Sequence, residues 1–160
     1  MGFIAADGCV IKDSRGNLKG VDISLQKSDK DFLISVANLL GESDRIVKER
    51  QKCYSLRITS SEMASDLTDL GIYPQKSLTL DLSKVKVPES FKKDFLRGYF
   101  DGDGCFFFKK YDYGERSLIS FTGTLESLTY IRQQLQENCN CSLGTVTQRN
   151  PENATNNYTI

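Results

Sequence analysis

Two kinds of periodicity alternate along the chain, and the alternation runs through twice. Val21-Asp22-Ile23-Ser24-Leu25-Gln26 puts apolar and polar side chains on opposite sides, the period of a half-buried strand. Val10-Ile11-Lys12 begins a shorter strand before it, and Ser14-Arg15-Gly16-Asn17 supplies a turn between the two. The period then lengthens. Phe32, Leu33, Val36, Leu39 and Leu40 recur at helical spacing; Ser28 or Asp29 can cap this helix and Gly41 closes it. Arg45 to Arg50 and Tyr54 to Thr59 read as a strand pair. Ser60 or Ser61 then caps a second helix carrying Met63, Leu67 and Leu70, closed by Gly71.

The same order returns further on. Phe106-Phe107-Phe108 leads a strand, a turn falls near Tyr113-Gly114, and Ser117 to Thr122 return. A helix runs from about Leu125 to Glu137 with Leu128, Ile131 and Leu135 on one face. Thr145 to Arg149 and Asn157 to Ile160 begin two more strands. Each copy opens on one short motif: Gly2-Phe3-Ile4-Ala5-Ala6-Asp7-Gly8-Cys9, then Gly98-Tyr99-Phe100-Asp101-Gly102-Asp103-Gly104-Cys105, at a constant offset. The expected unit is helix, two strands, helix, two strands, helix, with residues 1–95 as the first repeat and 96–160 as the second. The second copy lacks the closing helix and the first has a short opening helix, the pattern of a fragment or a degraded copy.

The motif reads as the end of a helix. Gly8 and Gly104 stand where a helix C-terminus favours a left-handed residue, which puts Asp7 and Asp103 in the last turn. The helix dipole already makes that end negative, so a carboxylate is disfavoured there by about 0.3–1 kcal/mol. An acid at both ends asks for a positive partner, and a divalent cation is a natural one. Gly2, Ala5, Gly98 and Gly102 are small enough to let the two helices pack closely and bring both carboxylates to one place. Two carboxylates sharing Mg²⁺ (or Mn²⁺) can position a water and stabilise the leaving oxygen of a phosphodiester.

Composition narrows the chemistry. Histidine is absent, which excludes His-based acid–base catalysis and Ser-His-Asp triads. Five cysteines leave one over in any full disulfide scheme, and Cys139-x-Cys141 is too tight for the usual zinc spacing, so reduced structural thiols are expected. No apolar run reaches the roughly 18 residues that span a bilayer, and no secretory signal opens the chain. The expected location is the cytoplasm, or the compartment that holds the encoding genome, with no membrane partner. Lys and Arg number 21 against 21 acids. A neutral chain binds DNA well only if its charge is polarised.

The two motifs and the element order resemble the single-chain LAGLIDADG homing endonucleases over nearly the whole chain. The resemblance implies an α+β fold of two pseudo-symmetric αββαββα repeats, whose curved antiparallel sheets form a saddle on duplex DNA, here with the second repeat incomplete. It implies a monomer with pseudo-twofold symmetry, able to dimerise if truncated, that hydrolyses both strands at a specific site and is encoded in an intron or intein. Asp7 and Asp103 are then the metal-binding catalytic acids, and Asp101 an interface or capping residue. Lys76, in Gly71-Ile72-Tyr73-Pro74-Gln75-Lys76-Ser77, steadies phosphate or the water network. A non-cutting binder on the same scaffold, such as an intron maturase in contact with intron RNA, a DNA-binding regulator or an inactive relic, is the alternative.

On the implied sheets, strand alternation selects the side chains that would face DNA. Asp22, Ser24 and Gln26 oppose Val21, Ile23 and Leu25; Arg45, Lys48, Arg50, Ser55, Arg57 and Thr59 follow in the next two strands. Lys109, Lys110, Arg116, Ser120, Thr122, Thr147 and Arg149 come from the second copy. Ser24, Gln26, Lys48, Arg50, Arg57, Lys109, Arg116 and Arg149 are the foremost DNA-binding candidates, since Arg and Lys read guanine and Gln reads adenine. The acids Asp29, Asp31, Glu62, Asp66, Asp69, Glu126 and Glu137 fall on predicted helices, a segregation that would leave the sheets positive.

Overall fold

The computed structural model describes residues 1–43, 46–149 and 156–160. The chain mixes helices with antiparallel sheet. Its first half runs α1 (Gly2–Ala6), β1 (Gly8–Lys12), β2 (Leu18–Gln26), α2 (Lys30–Leu39), β3 (Val47–Glu49), β4 (Cys53–Ile58) and α3 (Ser61–Asp69). The second runs α4 (Lys92–Asp103), β5 (Gly104–Tyr111), β6 (Gly114–Gly123), α5 (Leu125–Asn138), β7 (Thr147–Gln148) and β8 (Tyr158–Thr159). Two four-stranded sheets result, ordered β1-β2-β4-β3 and β5-β6-β8-β7. Their registers correspond: Gly8 faces Ile23 and Val10 faces Val21 in one, Gly104 faces Phe121 and Phe106 faces Ile119 in the other.

Residues 7–75 form one compact unit, and residues 1–6 with 76–160 form another. The core of the 7–75 unit is Val10, Val21, Ile23, Leu33, Ala37, Leu56, Ile58, Ala64, Leu67 and Ile72, all buried where α2 and α3 cover the sheet. Ser60 caps α3 as its sequence predicts, its hydroxyl accepting the Met63 N–H at 3.1 Å. The buried stripe of α2 is narrower than its apolar spacing implies. Leu33 and Ala37 are buried, whereas Phe32, Leu39 and Leu40 are exposed. The helix is only 10 residues long and packs on β2, β3 and β4 through its middle, leaving the apolar side chains at its two ends in solvent.

The other unit centres on Leu80, Leu82, Val85, Phe95, Tyr99, Phe121, Leu128 and Ile131. The segment before α4 is tied to the start of α5. The buried Thr124 and Ser127 hydroxyls both donate to the Leu80 carbonyl, and the Leu82 N–H donates to Ser127 Oγ at 3.2 Å. These bonds satisfy polar groups that burial would otherwise penalise by about 1–3 kcal/mol each. All five cysteines are free thiols. Among the described residues no helix is long and apolar enough to cross a membrane.

Candidate nucleic-acid and metal site

Helices α1 and α4 pack backbone to backbone. A Cβ at Gly2 would collide with the Phe95 carbonyl and lie 2.9 Å from the Tyr99 nitrogen; one at Gly98 would lie 3.0 Å from the Phe3 nitrogen. Any larger residue at either position forces the helices apart. Ala5 is buried nearby, and Gly102 is half-buried in the last turn of α4.

Each motif acid stands where helix becomes strand. Asp103 is the last residue of α4 and β5 starts at Gly104; Asp7 is the single residue between α1 and β1. The glycines after them are not left-handed, contrary to the sequence expectation. Gly104 is extended at φ −94°, and Gly8 has no positive φ either. Gly104 is required for a different reason: a Cβ there would strike the Phe100 ring and carbonyl. The chain thus passes straight from helix to strand, with the acid fixed at the junction. Asp7 is exposed and Asp103 half-buried. Asp101 is exposed on α4.

Lys76 opens a short 3₁₀ turn, Lys76–Leu78, and is only 5% exposed. Its ammonium donates to the Ala6 carbonyl at 3.0 Å. A buried cation therefore sits against the C-terminal end of α1, one residue before Asp7, where the helix end is negative.

The first sheet carries its polar side chains around one acid. Asp22 is 8% exposed. Its Oδ2 accepts from Arg57 Nε at 2.8 Å, Arg57 Nη2 at 2.6 Å and Arg50 Nη2 at 2.8 Å. Its Oδ1 accepts from Ser55 Oγ at 2.7 Å and Ser24 Oγ at 3.0 Å. Burial is the largest single influence on this carboxyl and acts to raise its pKa. Hydrogen bonds from Ser55, Arg57 and Ser24, with the charge of Arg50, together outweigh it and hold the group below the ordinary aspartate value. Gln26 and Lys48 are exposed on the same sheet. Glu49 takes Lys27 Nζ at 2.6 Å and the Tyr54 hydroxyl at 3.3 Å. Acids are thus not confined to the helices: Asp22 and Glu49 sit among the bases of this sheet. Asp22 was legible as a polar strand position, but only the register that sets it opposite Arg57 reveals its role.

The second sheet is arranged differently. Lys109 and Arg116 are directly opposite each other on β5 and β6. Lys109 lies over the Tyr111 ring at 5.3 Å and Arg116 over Tyr113 at 5.1 Å, the two rings being stacked 5.1 Å apart. Arg149 reaches Thr122 Oγ1 at 3.4 Å. Arg45 lies outside the described residues.

With this geometry in hand, the comparisons are specific. The family model of the LAGLIDADG-like domain matches residues 1–70. That segment is similar to the LAGLIDADG-like domain. The chain as a whole has the fold of LAGLIDADG meganucleases. It is similar to meganuclease I-SmaMI bound to an uncleaved DNA target in the presence of calcium ions, at TM-score 0.58 and 16% identity, over 99% of this chain and 76% of that one. The I-LtrWI LAGLIDADG homing endonuclease bound to target DNA gives TM-score 0.57 at 15% identity, over 99% and 76%. I-AabMI bound to uncleaved DNA gives 0.54 at 15%, over 99% and 75%. No curated protein sequence matches the chain. The LAGLIDADG-like segment ends just after α3, yet the likeness in fold continues through the second sheet.

Proposed function

We propose that the chain is a site-specific DNA endonuclease that cuts both strands with a divalent metal, its repeats at 1–95 and 96–160 each contributing one acid. The observation that carries this reading is the repeated junction: Asp7 directly follows α1 and Asp103 ends α4, two helices packed through Gly2 and Gly98. The LAGLIDADG-like match and the fold shared with meganucleases held on DNA support it.

The donor chemistry suits a hard cation such as Mg²⁺ or Mn²⁺. Both groups are carboxylates, one exposed and one half-buried. Among the described residues no group of three metal-binding side chains occurs. Mg²⁺ keeps several waters and is held by one or two carboxylates plus substrate phosphates, a protein share that two acids alone can supply. When bound, the ion supplies Lewis-acid stabilisation and a water of lowered pKa. Asp7 and Asp103 are the residues that would hold it. Lys76, pinned to the Ala6 carbonyl, offsets the negative charge that two acids would otherwise present to a phosphate backbone. Ser24, Gln26, Lys48, Arg50 and Arg57 on one sheet, and Lys109, Arg116 and Arg149 on the other, engage duplex DNA.

A library of randomised duplexes incubated with the protein and Mg²⁺, followed by sequencing of the cut ends, tests this directly. A defined cleaved site is expected, with cutting reduced to background in Asp7→Asn and in Asp103→Asn while duplex binding stays within a few-fold. Either variant cutting at the parental rate removes these acids from the chemistry.

A further inference from the structure

Arg57 uses only one edge of its guanidinium on Asp22. The Nε–Nη2 side edge is committed to the carboxylate, while the side chain remains 53% exposed. The Nη1–Nη2 end therefore stays available, and that fork is the one whose spacing matches the O6 and N7 acceptors of guanine. Arg50 is held by a single Nη2 contact to the same oxygen and is 45% exposed. Asp22 itself is nearly covered, and Ser24 and Ser55 fix its other oxygen.

We propose that Asp22 is a specificity-determining positioning residue: it holds Arg57, and more loosely Arg50, with the end fork outward as a preset guanine reader. The inference rests on the reading that this sheet faces duplex DNA. An arginine without such an anchor samples many rotamers and satisfies itself on phosphates, which carry no sequence information. Its immobilisation also spends part of the sheet's positive charge, since Asp22 offsets one of the two guanidinium charges. Asp22 therefore lowers non-specific affinity and raises discrimination, two effects that a purely structural residue would not couple.

The test is selection of bound duplexes from a randomised library by wild type, Asp22→Asn, Arg57→Ala and Arg57→Lys, with affinity for unrelated duplex measured across salt concentrations. Wild type should show a guanine preference that Arg57→Ala removes. Asp22→Asn should lower that preference about tenfold or more, leave other positions unchanged, and bind unrelated duplex more tightly with a salt slope steeper by about one. Arg57→Lys, at a half-exposed position, keeps the charge beside Asp22 but loses the fork. It should lose the guanine preference while the salt slope on unrelated duplex stays as in wild type, so the proposal stays testable even if Asp22→Asn folds poorly. If wild type binds no duplex, the DNA reading and this inference both fall. If wild type selects a site and folded Asp22→Asn or Arg57→Lys selects it with an unchanged profile, the inference alone falls.

Discussion

The two sheets share a strand order and a register, yet equivalent positions are treated in opposite ways. Val10 and Val21 face each other across β1 and β2 and are 2% and 0% exposed. Their counterparts across β5 and β6, Phe106 and Ile119, are 55% and 48% exposed. The difference lies in what packs on the strands. Helix α3 lies along β1 and β2 with Ala64 and Leu67 buried, whereas the contacts of β5 and β6 with α4 and α5 leave Phe106 and Ile119 open. The polar positions diverge as well. Asp22 pairs with Cys9 in the first register, and Ser120 pairs with Cys105 in the second. One sheet anchors its arginines on a carboxylate; the other rests its bases on tyrosine rings. The same strand pattern can therefore carry bases locked on a carboxylate or bases resting on aromatic rings, and the residue at one polar strand position separates the two.

Core truncations break that comparison most strongly if it is wrong. Ile23 is 1% exposed on the strand that α2 and α3 both pack against, so Ile23→Ala should cost about 2–5 kcal/mol. Ile119→Ala removes a side chain that is already half in water, and should cost about 1 kcal/mol or less. Chemical denaturation of the two variants decides it. Equal losses would mean that the second sheet is as covered as the first.

The seam between α1 and α4 comes next in size. Gly98→Val would place a branched side chain against the Phe3 backbone, where even a Cβ stands 3.0 Å from nitrogen. Overpacking of this kind costs about 1–3 kcal/mol. A fall in Tm is expected for Gly98→Val, and none for Glu115→Ala at the exposed hairpin end. An undiminished Tm in Gly98→Val would show that the helices do not need this close approach.

How far the sequence exposed this arrangement depends on the range of the interaction. The repeat, the strand pairs around Ile23 and Phe121 and the Ser60 cap were all legible, because each rests on local spacing or one side chain. The glycine after each acid was located correctly and explained wrongly: Gly104 yields room to Phe100, a contact that no local pattern encodes. The exposed ends of α2 were hidden for a similar reason, since apolar spacing says which residues share a face but not how much of that face a partner covers. The anchoring of Thr124 and Ser127 on Leu80, and the clasp of Arg50 and Arg57 on Asp22, join residues far apart in sequence. They required the fold. Asp7, Asp103 and Lys76 were legible as residue types at motif positions, whereas the Lys76 contact with Ala6 needed coordinates.

The Asp22 clasp gives the comparison a pH signature. Its carboxyl is held below the ordinary aspartate value, so the folded state binds that proton more weakly than the unfolded chain does. The stabilisation is then complete above about pH 4, the unfolded aspartate value, and is lost as pH falls through the lower folded one. Asp22→Asn should cost about 1–2 kcal/mol at neutral pH, a modest figure because both arginines are half-exposed and screened. Thermal melts of wild type and Asp22→Asn should converge as pH drops below about 4. A gap that persists unchanged at low pH would assign the cost to packing instead of charge. Ser120→Ala on the other sheet should show no pH-dependent gap.

The smallest effect is expected at the aromatic end of the second sheet. Lys109 and Arg116 are directly opposite across β5 and β6, and like charges so placed repel. Arg116 nonetheless lies over Tyr113 at 5.1 Å and Tyr111 at 5.9 Å, and exposed contacts of this type are worth about 0.5–1 kcal/mol. The two terms oppose each other, so Arg116→Ala should change stability by about 0.5 kcal/mol or less at low salt. Added salt screens the repulsion in wild type more than it weakens a short contact to a ring. The cost of Arg116→Ala should therefore grow slightly with ionic strength, opposite to a salt-bridge deletion, and melts of both proteins across a salt series would show it. A large loss at low salt that shrinks as salt rises would instead place an ion-pair lock on this sheet too, and the contrast with Asp22 would disappear.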